Sequence, residues 1–284
     1  MTKRVHLPIL EKAEVVDTGT NGMAVARSGK IVVFVKNAVP GDVIDIKVTK
    51  KRSSYYEGIA VKLHHYSSMR EEPFCDHFGI CGGCSWQNLN YPSQLMFKQK
   101  QVENNLKKIA NMAPMETLPI IPSENTTSYR NKLEFTFSNK RWLTDEEMEK
   151  YQADPDDSGA KNYGLGFHIP GRFDKVLDIK KCHLQAEPSN AIRMTVRELA
   201  IKNGFLFFDI RKQTGFLRNL IIRTSTTGDL MVILSVYRQN EEAIKLLLET
   251  LHIKFPEITS FMYVVNQKKN DAIADLDVKL FSGK

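Results

Sequence analysis

Cysteine is scarce in this chain. There are four among 284 residues, and three of them fall within "CDHFGICGGC". Tryptophan is scarcer still, with two. No stretch approaches the roughly 20 apolar residues of a membrane-spanning helix, so no membrane partner is expected. The start, "MTKRVHLPILEKAEVV", lacks the apolar run of a signal peptide, and a cytoplasmic location is the expectation. In a reducing compartment clustered thiols read as metal ligands or redox groups sooner than as disulfides. The signature of disorder is also missing: 42% hydrophobic and 26% charged residues describe an ordinary globular chain, long enough for two domains.

What the chain does have is basic charge, unevenly spread. The net charge is +7, and residues 1–66 hold 11 Lys/Arg against 6 Asp/Glu, while 67–150 hold 10 against 11. A small basic module is the electrostatic footprint of a nucleic-acid binder, with a merely soluble basic domain as the alternative. Turn signals divide the same region. "GTNG", "SGK" and "VPGD" separate runs such as "MAVAR", "IVVFV" and "VIDIKVTK", the last with the apolar/polar alternation of a half-buried strand. Five short strands in that span predict a small closed barrel of the OB type over 1–66.

Beyond it, 67–284 reads as an α+β domain with a mostly antiparallel sheet. The segment 92–112 predicts a helix, with Pro92 in its first turn and Leu95, Val102, Leu106 and Ile109 as an apolar stripe. "KLEFTFS", "YGLGFHI", "FDKVLDI" and the hairpin "FLRNLIIRTS"/"LMVILSVYR" predict strands. Ser189 is placed as the cap of a helix that Gly204 stops, and "DEEMEKYQADPDDSGAKN" as an acidic exposed loop. No Gly-rich strand–loop–helix signature of a complete Rossmann-like methyltransferase domain is found.

The cysteine spacing is C-x5-C-x2-C, followed by Cys182 far downstream. Four thiolates without a matching histidine pair suggest an iron–sulfur cluster or tetrahedral zinc. Paired knuckles, the usual zinc pattern, are missing, and a thioredoxin-like CxxC would leave Cys75 unexplained.

These residues carry a family resemblance. "DTGTNGMAVARSGKIVVFVKNAVPGDVIDIKVTKKRSSYYEGIAVKL" resembles a TRAM domain, a small RNA-binding barrel. "CDHFGICGGCSWQ" with the distant "CHL" resembles the 4Fe–4S ligand set of RNA uracil-5-methyltransferases, in the RumA-like branch that acts on 23S ribosomal RNA; "YRNKLEF", "GFLRNLIIR" and "YVVNQ" resemble that family's central domain. The resemblance implies Cys75, Cys81, Cys84 and Cys182 as ligands of one 4Fe–4S cluster, with zinc as the alternative. It implies RNA, of ribosomal kind, as the partner and S-adenosylmethionine as the methyl donor of the parent enzyme. Family members attack C6 of uracil with a cysteine.

Here all four thiols are assigned to the cluster, so no catalytic residue is expected. The chain is read as an N-terminal portion without the methyl-transfer machinery, inactive alone, whose 92–112 helix packs in the family with the catalytic domain. The alternative is a stand-alone RNA-binding or ribosome-associated module. A radical-SAM methylthiotransferase would need CxxxCxxC and a TRAM domain near its C-terminus.

Candidate RNA contacts are Lys50, Lys51 and Arg52 beside Tyr55 and Tyr56, cations next to stacking surfaces on a barrel rim. A solvated hairpin with partly buried tyrosines is the plain alternative. Arg130 and Lys132 are further RNA candidates, against a strand-end charge pair. Trp86 is expected to shield the metal site. Of Arg218 and Arg223, on opposite sides of a strand, one at most is expected to face a substrate cleft.

Overall fold

A computed structural model describes residues 7–144, 146–149 and 162–284. The acidic loop expected at 145–162 lies largely outside the described residues. The chain forms two compact units, one made of the residues up to Gly79 together with Cys84–Thr126, the other of Ile80–Gly83 and Thr127–Lys284. Among the described residues no helix is long and apolar enough to cross a membrane.

The first unit is built on five strands: β1 (Ile9–Thr18), β2 (Ala24–Ser28), β3 (Ile31–Lys36), β4 (Val43–Lys51) and β5 (Tyr56–His65). They close into a barrel in the order β1-β2-β3-β5-β4, with β3 and β5 parallel and the other pairs antiparallel. Alternation turns Ala13, Val15, Ala24, Ala26, Val33, Val35, Ile44 and Ile46 inward. Alanines facing Val and Ile let so narrow a barrel fill without voids. Gly58 serves the same end. A Cβ there would stand 2.5 Å from the Ile46 side chain and 2.9 Å from the Lys47 carbonyl, so only glycine permits the β4–β5 approach.

The "VPGD" turn ends in the buried Asp42. Its carboxylate accepts from the backbone N–H of Val39 at 2.8 Å and of Ser67 at 3.0 Å, and from the Arg70 guanidinium at 2.8 and 2.9 Å. One side chain thus fixes both its own turn and the start of the next segment, and the guanidinium neutralises its charge.

Helix α1 (Tyr91–Lys108) belongs to this unit rather than to the 67–284 region with which the sequence grouped it. Asn90 caps it by accepting from Ser93 N–H at 3.0 Å, and Pro92 occupies the first turn. Phe97 anchors it in a small core of Val39 and Leu89, with Met69 and Trp86 packed alongside. Within the expected apolar stripe, Val102 and Ile109 stand exposed.

The second unit carries an eight-stranded sheet. Its strands are β6 (Lys132–Ser138), β7 (Arg141–Trp142), β8 (Gly164–Ile169), β9 (Arg172–Asp178), β10 (Leu217–Thr224), β11 (Leu230–Val236), β12 (Ser260–Val265) and β13 (Val278–Gly283), in the order β13-β12-β11-β10-β6-β8-β9-β7. Two of its pairings, β11–β12 and β7–β9, are parallel. The other five pairings among the described residues are antiparallel, so the sheet is mostly antiparallel, as expected. A helix between β11 and β12 returns the chain to the end where β11 began, and a strand that restarts there runs parallel.

That helix, α3 (Glu241–Lys254), and α2 (Ser189–Lys202) pack against each other. Ser189 is not the cap expected of it. It is the first helical residue, and its hydroxyl donates to Gln185 Oε1 at 2.6 Å. The end of α2 is satisfied instead by the Glu187 carboxylate, which accepts from Ala191 N–H at 3.2 Å. Gly204, at φ 66°, ends the helix as the sequence suggests.

Candidate functional site

In the first unit the β4–β5 hairpin brings Lys50, Lys51, Arg52, Tyr55 and Tyr56 together. Lys51 pairs in register with Tyr56 and holds its ammonium 5.0 Å from the ring centre. Arg52 N–H donates to the Tyr55 carbonyl at 2.9 Å, which closes the loop and leaves the guanidinium exposed. Tyr55 meets Phe34 edge to face at 5.2 Å. Lys50 makes a loose, exposed pair with Glu57 at 3.6 Å, a contact weak enough to exchange for a phosphate. The hairpin presents three cations and two half-buried rings on one rim, a surface that suits a single-stranded polyanion.

A groove of about 250 Å³ opens in the same unit, between the β1–β2 loop and α1. Thr18 and Gly19 form one wall, and Lys100, Gln101, Asn104 and Lys108 the other, with Phe97 at its base. Sequence reading missed it. The spacing 97, 101, 104, 108 was visible as one helix face, but its partner loop lies some eighty residues away.

The cysteines divide between the units: Cys75 and Cys84 belong to the first, Cys81 and Cys182 to the second. Cys81 Sγ accepts from Gly83 N–H at 3.4 Å, the kind of bond that steadies a thiolate, so the "CGGC" glycines do supply a backbone amide. Gly82 lies against the β8–β9 turn, where a Cβ would meet the His168 carbonyl at 2.8 Å. Cys182 is buried, and Asn190 holds its backbone at both ends: Cys182 N–H donates to Asn190 Oδ1 at 2.7 Å, and Asn190 Nδ2 donates to the Cys182 carbonyl at 3.0 Å.

Nearby, Arg193 is fully buried and donates to the Lys180 carbonyl at 2.8 Å. Burial lowers its pKa to about 10, against the upward pull of Asp178 and Cys182. Among the described residues no three His, Cys, Asp or Glu side chains gather as ligands of one metal ion. Trp86, expected to shield a metal, packs in the core between barrel and α1.

Arg130 and Lys132 lie in the second unit. Arg130 is exposed, and its N–H donates to the Leu184 carbonyl at 2.8 Å; Lys132 opens β6 with a distant contact to Glu134 at 3.9 Å. Of the two β10 arginines, Arg223 is exposed, while Arg218 is spent on structure. Its guanidinium donates to the carbonyls of Asn266, Lys268 and Asn270 at 2.6–2.9 Å and to Asp271 at 3.0 Å.

Comparison with known proteins places this architecture. Residues 12–61 match the TRAM domain family. Over nearly its whole length the chain is also a relative of RNA methyltransferases. It is 50% identical over 266 residues to an uncharacterized RNA methyltransferase of Bacteroides thetaiotaomicron, and 45% identical over 273 residues to one of Porphyromonas gingivalis. These alignments cover 93% and 95% of the chain. The chain spans 58% of the length of each of these relatives. Among solved structures, the tRNA (uracil-54, C5)-methyltransferase of Pyrococcus abyssi, crystallised with S-adenosyl-L-homocysteine, aligns with a TM-score of 0.62 at 22% identity, over 96% of this chain and 56% of that one.

Two expectations are corrected by these findings. The fold class set the chain apart from a methyltransferase fold, yet one solved methyltransferase aligns with both of its units. The functional expectation of an RNA-binding and iron–sulfur portion, or of a module without catalysis, is likewise corrected: the relatives aligned with 93% and 95% of the chain, of which it spans 58%, are named RNA methyltransferases. A cysteine count and one local glycine motif do not decide catalysis, because a site is defined by the geometry of residues that are distant in sequence.

Proposed function

We propose that the protein is an S-adenosylmethionine-dependent RNA methyltransferase that modifies C5 of a uridine, with the barrel unit as its RNA-gathering surface. The observation that carries this is the exposed cation–tyrosine rim of the β4–β5 hairpin, on a TRAM domain, in a chain related to RNA methyltransferases. The bound S-adenosyl-L-homocysteine of the Pyrococcus abyssi structure supports the donor, and that protein's name supports the uracil C5 position. The methyl group passes from the donor sulfur to C5, the C5 proton is released, and S-adenosylhomocysteine remains. Ribosomal RNA is the substrate class we favour, with Arg130 and Lys132 as additional contacts. The test is incubation with cellular RNA and methyl-labelled donor, followed by nucleoside analysis. Label in 5-methyluridine from ribosomal RNA is expected. Label in another nucleoside would overturn the C5 assignment, and label in transfer RNA alone the substrate class.

The four cysteines are proposed as ligands of an iron–sulfur cluster. Thiolate chemistry and the Gly83 amide at Cys81 support this. Iron and acid-labile sulfide in anaerobically prepared protein are the expected result. Stoichiometric zinc without iron would overturn it.

A further inference from the structure

We infer that the groove between the β1–β2 loop and α1 is a binding site for one unpaired RNA base, and that it contributes sequence preference to a surface that otherwise binds charge. The inference rests on the RNA reading above and deepens it. Helix α1 has two faces. Leu95, Val102 and Leu106 lie along one side, while positions 97, 101, 104 and 108 lie along the opposite one, over the groove. On that second side the amides of Gln101, Asn104 and Asn105 make no side-chain hydrogen bond among the described residues, although each offers a donor and an acceptor side by side. Carboxamides with both functions pair with the edge of a base, which presents the same two functions in a fixed order.

The groove's charges suit a nucleotide. Lys100 and Asp17 neutralise each other at 2.7 Å. Lys108 has no ion pair among the described residues, which leaves one net cation at the mouth for a phosphate. The groove wall and the rim share a packed neighbour, Phe34. A Cβ on Gly19 would stand 2.8 Å from the Phe34 ring, and Phe34 in turn meets Tyr55. Rim and groove thus belong to one unit, and a strand on the one and a base in the other engage the same barrel.

The test measures anisotropy of labelled short homopolymers of uridine, adenosine and cytidine on the wild type and on the Q101A/N104A/N105A triple variant. All three positions are helix surface, where alanine is well tolerated. Wild type is expected to prefer one homopolymer. The variant should lose that preference by about tenfold, the scale of a base-edge contact, with its salt slope unchanged. Equal binding of all homopolymers by the wild type, or an undiminished preference in the variant, would overturn the inference while salt-dependent binding sustains the RNA reading. Absence of binding to any homopolymer would overturn both.

Discussion

The two units use the same residue types in opposite ways. In the second, Arg218 and Arg193 are buried: the Arg218 guanidinium stitches the 266–270 loop to the sheet, and that of Arg193 ties α2 to the Lys180 carbonyl. In the first, Lys50, Lys51 and Arg52 stand in solvent beside two tyrosines, and Lys108 stands beside a row of amides. A basic residue therefore signals a nucleic-acid surface only where the fold has not already spent it. A count of Lys and Arg along the chain cannot make that distinction, because burial and carbonyl partners decide it.

The contrast breaks most visibly at Arg218. Arg218→Met should lower stability by about 3–5 kcal/mol in urea denaturation, because three carbonyls lose a buried charged donor. Arg218→Lys should recover only a fraction of that, since one ammonium cannot reach every partner of a planar fork. A counterpart in the first unit is Asp42, a buried charge held by backbone N–H groups and a guanidinium. Asp42→Asn should cost about 2–3 kcal/mol, read the same way, by weakening charge-assisted bonds to Ser67 and Arg70.

A smaller effect is expected at Asp209. Burial raises its carboxyl, but the N–H of Lys212, the side chains of Asn139 and Lys140 and the N–H of Arg211 outweigh burial and hold it at about 2. A depressed carboxylate adds stability above its unfolded pKa and loses it as pH falls through the folded one. Denaturation midpoints should therefore drop between about pH 4 and pH 2, and Asp209→Asn should flatten that drop.

Much of the first unit was legible because its punctuation is local. Asn21, Gly29 and Gly41 take positive φ at the three turns that "GTNG", "SGK" and "VPGD" mark, and strand alternation sets the barrel interior. What escaped was nonlocal. Ser189 looked like a cap, but Glu187 two residues earlier reaches the same helix end. Arg218 looked able to face a cleft, but the 266–271 loop that encloses it lies about fifty residues on. Val102 and Ile109 looked like a core stripe, whereas Phe97 does the packing, because Val39 and Leu89 meet that side of the helix. The groove was invisible for the same reason: its polar face borrows a wall from β1.

The salt dependence of RNA binding tests the contrast most directly. Affinity for a single-stranded oligoribonucleotide, plotted as log Kd against log salt, should lose about 2 from its slope in the K50A/K51A/R52A triple variant, at roughly 0.7 per phosphate contact. Stability should change by less than about 1 kcal/mol, as befits exposed side chains. Parallel lines for the wild type and the variant would show that the rim does not meet RNA, and would contradict the account.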